Sequence, residues 1–321
     1  MTNRTALKIW IACAALIAGT SVCFAQTNAS IPFSFAVIGD QPYNDFLEPA
    51  TDSLISTINS NPDIQWILHL GDIKGGTEPC SDSLIKRRLG QLQRSEKPLV
   101  YVPGDNEWTD CHRASNGSHD TQERLQFLRS QAFSAPLSLG YVPFPVRQQT
   151  DDAFPEHLMW LQGSTLFISL NVPGSNNDLR NPEALRQREK AIDAWLGEAE
   201  RLFESPDKSP TETVVAIQGN PIDGSGAGEK DGYTVFMTRL VNYINTTKRP
   251  LLLVHGDTHR FKWDRPSLKK YKGIKQTDAL FYRAEGWGHP FLNAWVKITV
   301  TSGTGSPFQV ESVTQQAKPD N

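Results

Sequence analysis

The stretch from Pro98 to Arg113, PLVYVPGDNEWTDCHR, decides how this chain folds. An apolar, largely β-branched run (Leu99, Val100, Val102) stops at Gly104-Asp105, and polar residues follow. That pattern predicts a buried strand delivering a carboxylate to the edge of a sheet. The design recurs three times, in Phe35-Ala-Val-Ile-Gly39-Asp40, Trp66-Ile-Leu-His-Leu-Gly71-Asp72 and Leu251-Leu-Leu-Val-His-Gly256-Asp257. In open α/β sheets ligands bind in the crevice at the carboxyl ends of the strands, so four Asp residues are candidates to converge on one site. Carboxylates gathered in that way call for cations.

Working outward, residues 1–25 read as a secretory signal peptide: Arg4 and Lys8 are basic, Ile9 to Ala18 is apolar, and Cys23-Phe24-Ala25 precedes Gln26 as a cleavage site. The apolar run is shorter than the ~20 residues a bilayer span needs, and no later segment is long enough either. The expectation is an exported protein, periplasmic or extracellular, with residues 26–321 as one domain. Losing Arg4 and Lys8 moves the formal charge from −3 to −5, since the segment holds no acid. An acidic chain without a basic run carries no electrostatic case for gripping nucleic acid. Cys13 and Cys23 leave with the signal. The remaining Cys80 and Cys111 are expected to form a disulfide in an oxidising compartment, because two sulfurs are few for a metal site.

Along the chain, strands at Phe33–Asp40, Ile64–Asp72 and Leu99–Asp105 alternate with helices near Thr51–Asn59, after Ser81, and at Thr121–Phe133. Three β-then-α units predict parallel pairing. His157–Gln162 and Thr165–Asn171 read as a hairpin. Pro182 opens a helix with Leu185, Ile192, Trp195, Leu196, Ala199 and Leu202 at helical spacing. Strand Thr213–Gln218, helix Tyr233–Ile244, strand Leu251–Gly256 and two antiparallel strands at Asn293–Thr301 and Phe308–Val313 complete an α/β sandwich.

The order of the loops carries a resemblance. Gly39-Asp40, Gly71-Asp72, Gly104-Asp105-Asn106-Glu107, Gln218-Gly219-Asn220-Pro221 and Gly256-Asp257-Thr258-His259 resemble, in sequence, the calcineurin-like metallophosphoesterases. Those proteins carry Asp-x-His, Gly-Asp-x-x-Asp, Gly-Asn-His-Asp/Glu, a His near a Pro, and Gly-His-x-His. The longer signature GDIKGGTEPCSD with PGDNEWTDCHR is similar to an exported bacterial subgroup. The resemblance implies a four-layer α/β/β/α sandwich with mixed sheets inside and helices outside. It also implies two divalent ions and hydrolysis of a small phosphomonoester or phosphodiester through a metal-bound hydroxide. Carried over by residue, Asp40 is a ligand of one ion and Asp72 bridges both. Asp105 stands for the Asn ligand, Gln218 or Asn220 for the His near Pro, Asp257 for the first His of Gly-His-x-His, and His259 for the last.

The departures are systematic. Pro42 replaces the His of Asp-x-His, Asn106 replaces the His that serves the leaving group, and two further ligand histidines become Gln218 or Asn220 and Asp257. Oxygen donors replace nitrogen, which favours Mn or Mg and leaves Fe or Zn as alternatives. Four carboxylates also neutralise two divalent ions, so the pair polarises phosphate less. Catalytic candidates are Asn106 by position, with Glu107, Asp110 and His112 as nearby acids, while Lys74 and Arg113 are candidate phosphate partners. His69 and His255 precede their Gly-Asp pairs where strand polarity turns them away. Two functions follow: a metal-dependent phosphoesterase, or a non-catalytic binding protein that keeps the fold and a metal or ligand.

Overall fold

The computed structural model describes residues 31–151, 153–204, 209–223, 231–269, 271 and 277–315. The proposed signal segment 1–25 and Gln26 lie outside them. Two β-sheets face each other, each covered on its outer side by helices. The first has the order β12-β11-β1-β2-β3 and the second β4-β5-β6-β7-β8-β10-β9. β1 (Phe33–Ile38), β2 (Ile64–His69) and β3 (Leu99–Tyr101) run parallel. β11 (Ala294–Val300) and β12 (Phe308–Thr314) extend that sheet antiparallel, in register from Ala294↔Thr314 to Val300↔Phe308. β3 is shorter than the sequence predicts. Val102 still bonds to His69, but Pro103 has no N–H with which to continue the ladder.

The second sheet begins with β4 (Arg147–Gln149) and the hairpin of β5 (Phe154–Gln162) with β6 (Thr165–Ser169), turned at Gly163-Ser164. It continues parallel through β7 (Glu212–Ala216), β8 (Leu251–His255) and β10 (Phe281–Glu285), then antiparallel to β9 (Lys262–Asp264). β4, β9 and β10 escape the sequence reading. β10 is buried at every position, yet Arg283 and Glu285 interrupt its apolar pattern. Arg283 is tolerated because Asp264 and Asp223 pair with it at 2.5 and 2.8 Å.

Period-two alternation divides the second sheet between two cores. Leu252 and Val254 of β8 point to the inter-sheet layer, whereas Leu251 and Leu253 meet the outer helices. In the inter-sheet layer Phe35 stacks on Trp66 with centroids 4.4 Å apart, and Phe167 meets Trp66 edge-on at 5.1 Å while stacking on Trp160 at 5.0 Å. That aromatic cluster joins the sheets and fixes their relative position. Helices α1 (Glu48–Asn59), α2 (Asp82–Gln93) and α3 (Thr121–Ala132) bury leucine and isoleucine faces on the first sheet. Ser81 caps α2 by accepting from Leu84 N–H, and Asp120 caps α3 by accepting from Glu123 N–H. After a single turn at Gly174–Asn177 (α4), α5 (Pro182–Arg201) and α6 (Thr234–Thr247) cover the second sheet, with Trp195 in their core. Among the described residues no helix is long and apolar enough to cross a membrane.

Candidate functional site

The strand ends of both sheets meet at one place. Gly71 O accepts from Asp40 N–H at 2.9 Å, Gln218 O from Gly256 N–H at 2.9 Å, and Asp40 O from His289 N–H at 3.0 Å. Asp40, Asp72 and Asp257 each leave their strand in the left-handed region, with φ of 54°, 53° and 75°, a conformation Asp tolerates better than most residues. The turn swings each carboxylate out of the ladder and into the crevice. Close approach is the second device. A Cβ on Gly104 would fall 2.2 Å from Asp72 Oδ1 and 2.3 Å from Asp72 N, so only glycine lets the second and third loops touch.

Two donor groups result. In the first, Asp40 Oδ1, His259 Nε2, Tyr43 Oη and Asp72 Oδ2 follow one another at 3.5, 2.8 and 3.3 Å. His259 Nδ1 lies 2.8 Å from the carbonyl of His289. Since a carbonyl only accepts, Nδ1 carries the hydrogen, and in the neutral ring Nε2 presents its lone pair to the group. In the second, Gln218 Nε2 donates to Asp105 Oδ1 at 3.3 Å and Asp257 Oδ1 at 3.4 Å. Asp105 Oδ2 accepts from Ser175 at 2.6 Å, and Asp257 Oδ2 from Asn220 N–H at 3.3 Å. The Asn220 side chain turns elsewhere. It donates to Thr258 and its Oδ1 accepts from the amides of Ile222 and Asp223, so of the two alternatives Gln218 is the one whose side chain faces the carboxylates.

Burial sets the electrostatics. Asp40 and Asp72 are held above the usual carboxylate range by burial and, for Asp72, by the charges of Asp105, Glu107 and Asp40. Burial with Asp105 and Asp40 pushes Asp257 up to about 7. Tyr43 is held well above its ordinary value by burial and by the carboxylates beside it. Burial opposes charge on His259, but Asp40 outweighs it and raises this imidazole. His69 and His255 are buried and pushed down to about 3, away from the group, as strand polarity suggests.

The other candidates lie around this centre. Asn106 donates from N and Nδ2 to the two oxygens of Asp72, at 3.1 and 3.0 Å. Glu107, pushed up to about 7 by burial, sits beneath the loop, where its Oε1 accepts from Tyr101 Oη at 2.6 Å, Gly104 N at 2.7 Å and Asp72 N at 3.1 Å. Lys74 is fully buried and donates to Gly75 O at 2.9 Å. Arg113 pairs with Asp110 at 2.6 Å, and Asp110 also accepts from Ser175 at 2.8 Å. His112 is exposed and faces Arg180, whose guanidinium also lies 3.9 Å from Asp110. The Cys80–Cys111 disulfide, Cα atoms 5.6 Å apart, ties the loop after β2 to the loop after β3. Tyr43, Ser175 and Arg180 were not singled out by the sequence. Tyr43 had a local signal, three residues after Asp40 and one after the proline that replaces a ligand histidine. The other two had none, because only the fold brings α4 and its following turn here.

Among the described residues, no group of three or more His, Cys, Asp and Glu side chains is arranged to hold a metal ion. The first group closes only when the Tyr43 phenol is counted. An octahedral set of ligands at about 2.1 Å has edges of about 3 Å; the three successive separations here, 3.5, 2.8 and 3.3 Å, are of that order, and three of the four donors are oxygens, as a hard divalent cation prefers. The second group does not fit one, because an amide NH2 faces both of its carboxylates.

A family model described as calcineurin-like phosphoesterase matches residues 33–261. No curated protein matches the chain. Among solved structures the chain is similar to one titled "GAP50 the anchor in the inner membrane complex of Plasmodium", at 14% identity over 90% of each chain and a TM-score of 0.47.

Proposed function

The chain belongs to the calcineurin-like phosphoesterase family, and from that premise we propose that it is a cation-dependent phosphoesterase acting on a small phosphomonoester or phosphodiester. The observation that carries this reading is the convergence of Asp40, Asp72, Asp105 and Asp257, little exposed, with one imidazole nearby. Gathering four carboxylates, three of them buried and Asp257 partly exposed, is unfavourable unless protons or cations neutralise them, and a merely structural crevice has no need of them. Asp40, Asp72, Tyr43 and His259 would hold the cation, with Mn or Mg preferred over Fe or Zn for an oxygen-rich set. Bound there, it supplies Lewis acidity toward a phosphoryl oxygen and toward water.

The remaining work falls to the chain itself. Arg113 and Arg180 flank Asp110 beside the centre, and their forked donors match phosphate oxygens. Lys74, spent on a backbone carbonyl inside the loop, supports the loop instead. Asn106 holds Asp72 in orientation through two hydrogen bonds. With Glu107 enclosed, exposed His112 is the candidate proton donor to the leaving group. The disulfide supports placing the protein outside the cytoplasm.

A second reading, a protein that holds a cation without turnover, is favoured by Asn106 standing where the family has an imidazole. One experiment separates them. Chelator-treated protein is reloaded with Mn, Mg, Zn or nothing and assayed on chromogenic phosphomonoesters and phosphodiesters. Slow hydrolysis that needs Mn or Mg is expected. Cation binding without turnover on any ester would establish the second reading, and no binding would remove both.

A further inference from the structure

The family brings two cation positions to its crevice, and in this chain the protein fills one of them. Gln218 is fully buried at the end of β7. Its Oε1 accepts from Gly174 N–H at 2.5 Å, so its NH2 group turns toward the carboxylates of Asp105 and Asp257. Reversing the amide would set an oxygen against two carboxylates and an NH2 against an N–H, losing all three contacts, so the orientation is fixed by its partners. A cation shared by Asp105 and Asp257 would lie between their facing oxygens, where the hydrogens of this NH2 already point. Gly174 itself crowds the pair. A Cβ on Gly174 would fall 2.3 Å from Asp257 Oδ1 and 3.0 Å from the Asp105 carboxyl, so the backbone of α4 presses directly on the pair. The outer oxygens of both carboxylates are taken by Ser175 and Asn220 N–H.

The first group is arranged differently. There the NH2 of Asn106 touches one carboxylate only, Asp72 Oδ2 at 3.0 Å, and is shared with the carbonyl of Lys74 at 3.1 Å, while the Tyr43 hydroxyl reaches both Asp72 and His259. We infer that this chain takes a single divalent cation, at Asp40, Asp72, Tyr43 and His259, and that the carboxamide of Gln218 stands in place of the second ion. The inference rests on the reading above that the strand ends hold a cation. It makes Gln218 a neutral substitute: its two N–H dipoles screen Asp105 and Asp257 from each other without bringing a net charge.

The test counts ions and is independent of turnover. Metal-free full-length protein is equilibrated with excess Mn(II), and bound Mn is measured by elemental analysis together with the low-temperature paramagnetic resonance spectrum. One Mn per chain with no exchange-coupled Mn pair is expected. Gln218→His and Gln218→Glu remove the NH2 and add a ligand, and each should raise the count to two with a coupled signal. Tyr43→Phe should keep the fold and weaken binding of the single ion by about tenfold or more. Two ions in the unaltered protein, or none, overturns the inference, and this count stands even if a variant fails to fold. One ion without phosphoesterase activity would leave the inference standing and remove the phosphoesterase reading.

Discussion

Asp72 is the residue on which the candidate centre turns. Its two oxygens accept from Asn106 N–H and Nδ2, and Oδ2 also lies within reach of the Tyr43 hydroxyl. Replacing it by Asn would remove the negative charge and set an NH2 against the Asn106 donors. Buried groups left facing like partners cost about 1–3 kcal/mol each. Asp72→Asn is therefore expected to lose the bound cation and all phosphoester hydrolysis, with a lower unfolding midpoint in the metal-free protein as well. Elemental analysis and a thermal melt check both parts. A variant that keeps its metal would show that Asp72 serves only the loop. Tyr43 matters for the same reason, since its hydroxyl lies between Asp72 and His259, at 3.3 and 2.8 Å.

At the scale of elements, the crevice is held by loops, and loops need staples. The loop after β2 and the loop after β3 both deliver carboxylates, and Cys80–Cys111 joins them across a sequence separation of 31. In the chain-entropy account a closed loop of that size stabilises the fold by about 3 to 4 kcal/mol. Cys80→Ser with Cys111→Ser should lose about that much by denaturant titration and bind the cation more weakly, because Asp72 and Asp105 are no longer fixed relative to each other. An unchanged Mn affinity in the double variant would mean that the loops are positioned by their hydrogen bonds alone. The glycine contacts act in the same direction. Gly104 brings the two loops into van der Waals contact, and Glu107 threads them together by accepting from the amides of both Gly104 and Asp72.

Over the whole molecule, the buried carboxylates make stability depend on pH and on metal together. Burial pushes Asp257 up to about 7 from an ordinary 3.8, and Glu107 up to about 7 from 4.5. A raised carboxylate holds a proton that the unfolded chain releases. Its stabilising contribution is therefore complete below about pH 4, and is lost as pH climbs through about 7. Asp40 and Asp72 are raised by burial in the same direction, so at their oxygens a cation competes with protons. The rise in melting temperature caused by saturating Mn should thus be larger at pH 8 than at pH 5. An equal rise at both values would mean that cation and proton do not share the site. The sequence by itself determined the α/β class, the four Gly-Asp strand ends and the pairing of Cys80 with Cys111, because each is written locally as an apolar run, a glycine or a cysteine count. Only the tertiary structure decided that β10 is a buried inner strand, one in from the edge, since its Arg283 finds acids from outside its own strand. Likewise only the fold turned Gln218 rather than Asn220 toward the carboxylates, set Glu107 beneath its loop, and brought Tyr43 to His259. Hydrogen-bond partners separated by as many as 216 residues choose those orientations, and nothing in the neighbouring sequence specifies them.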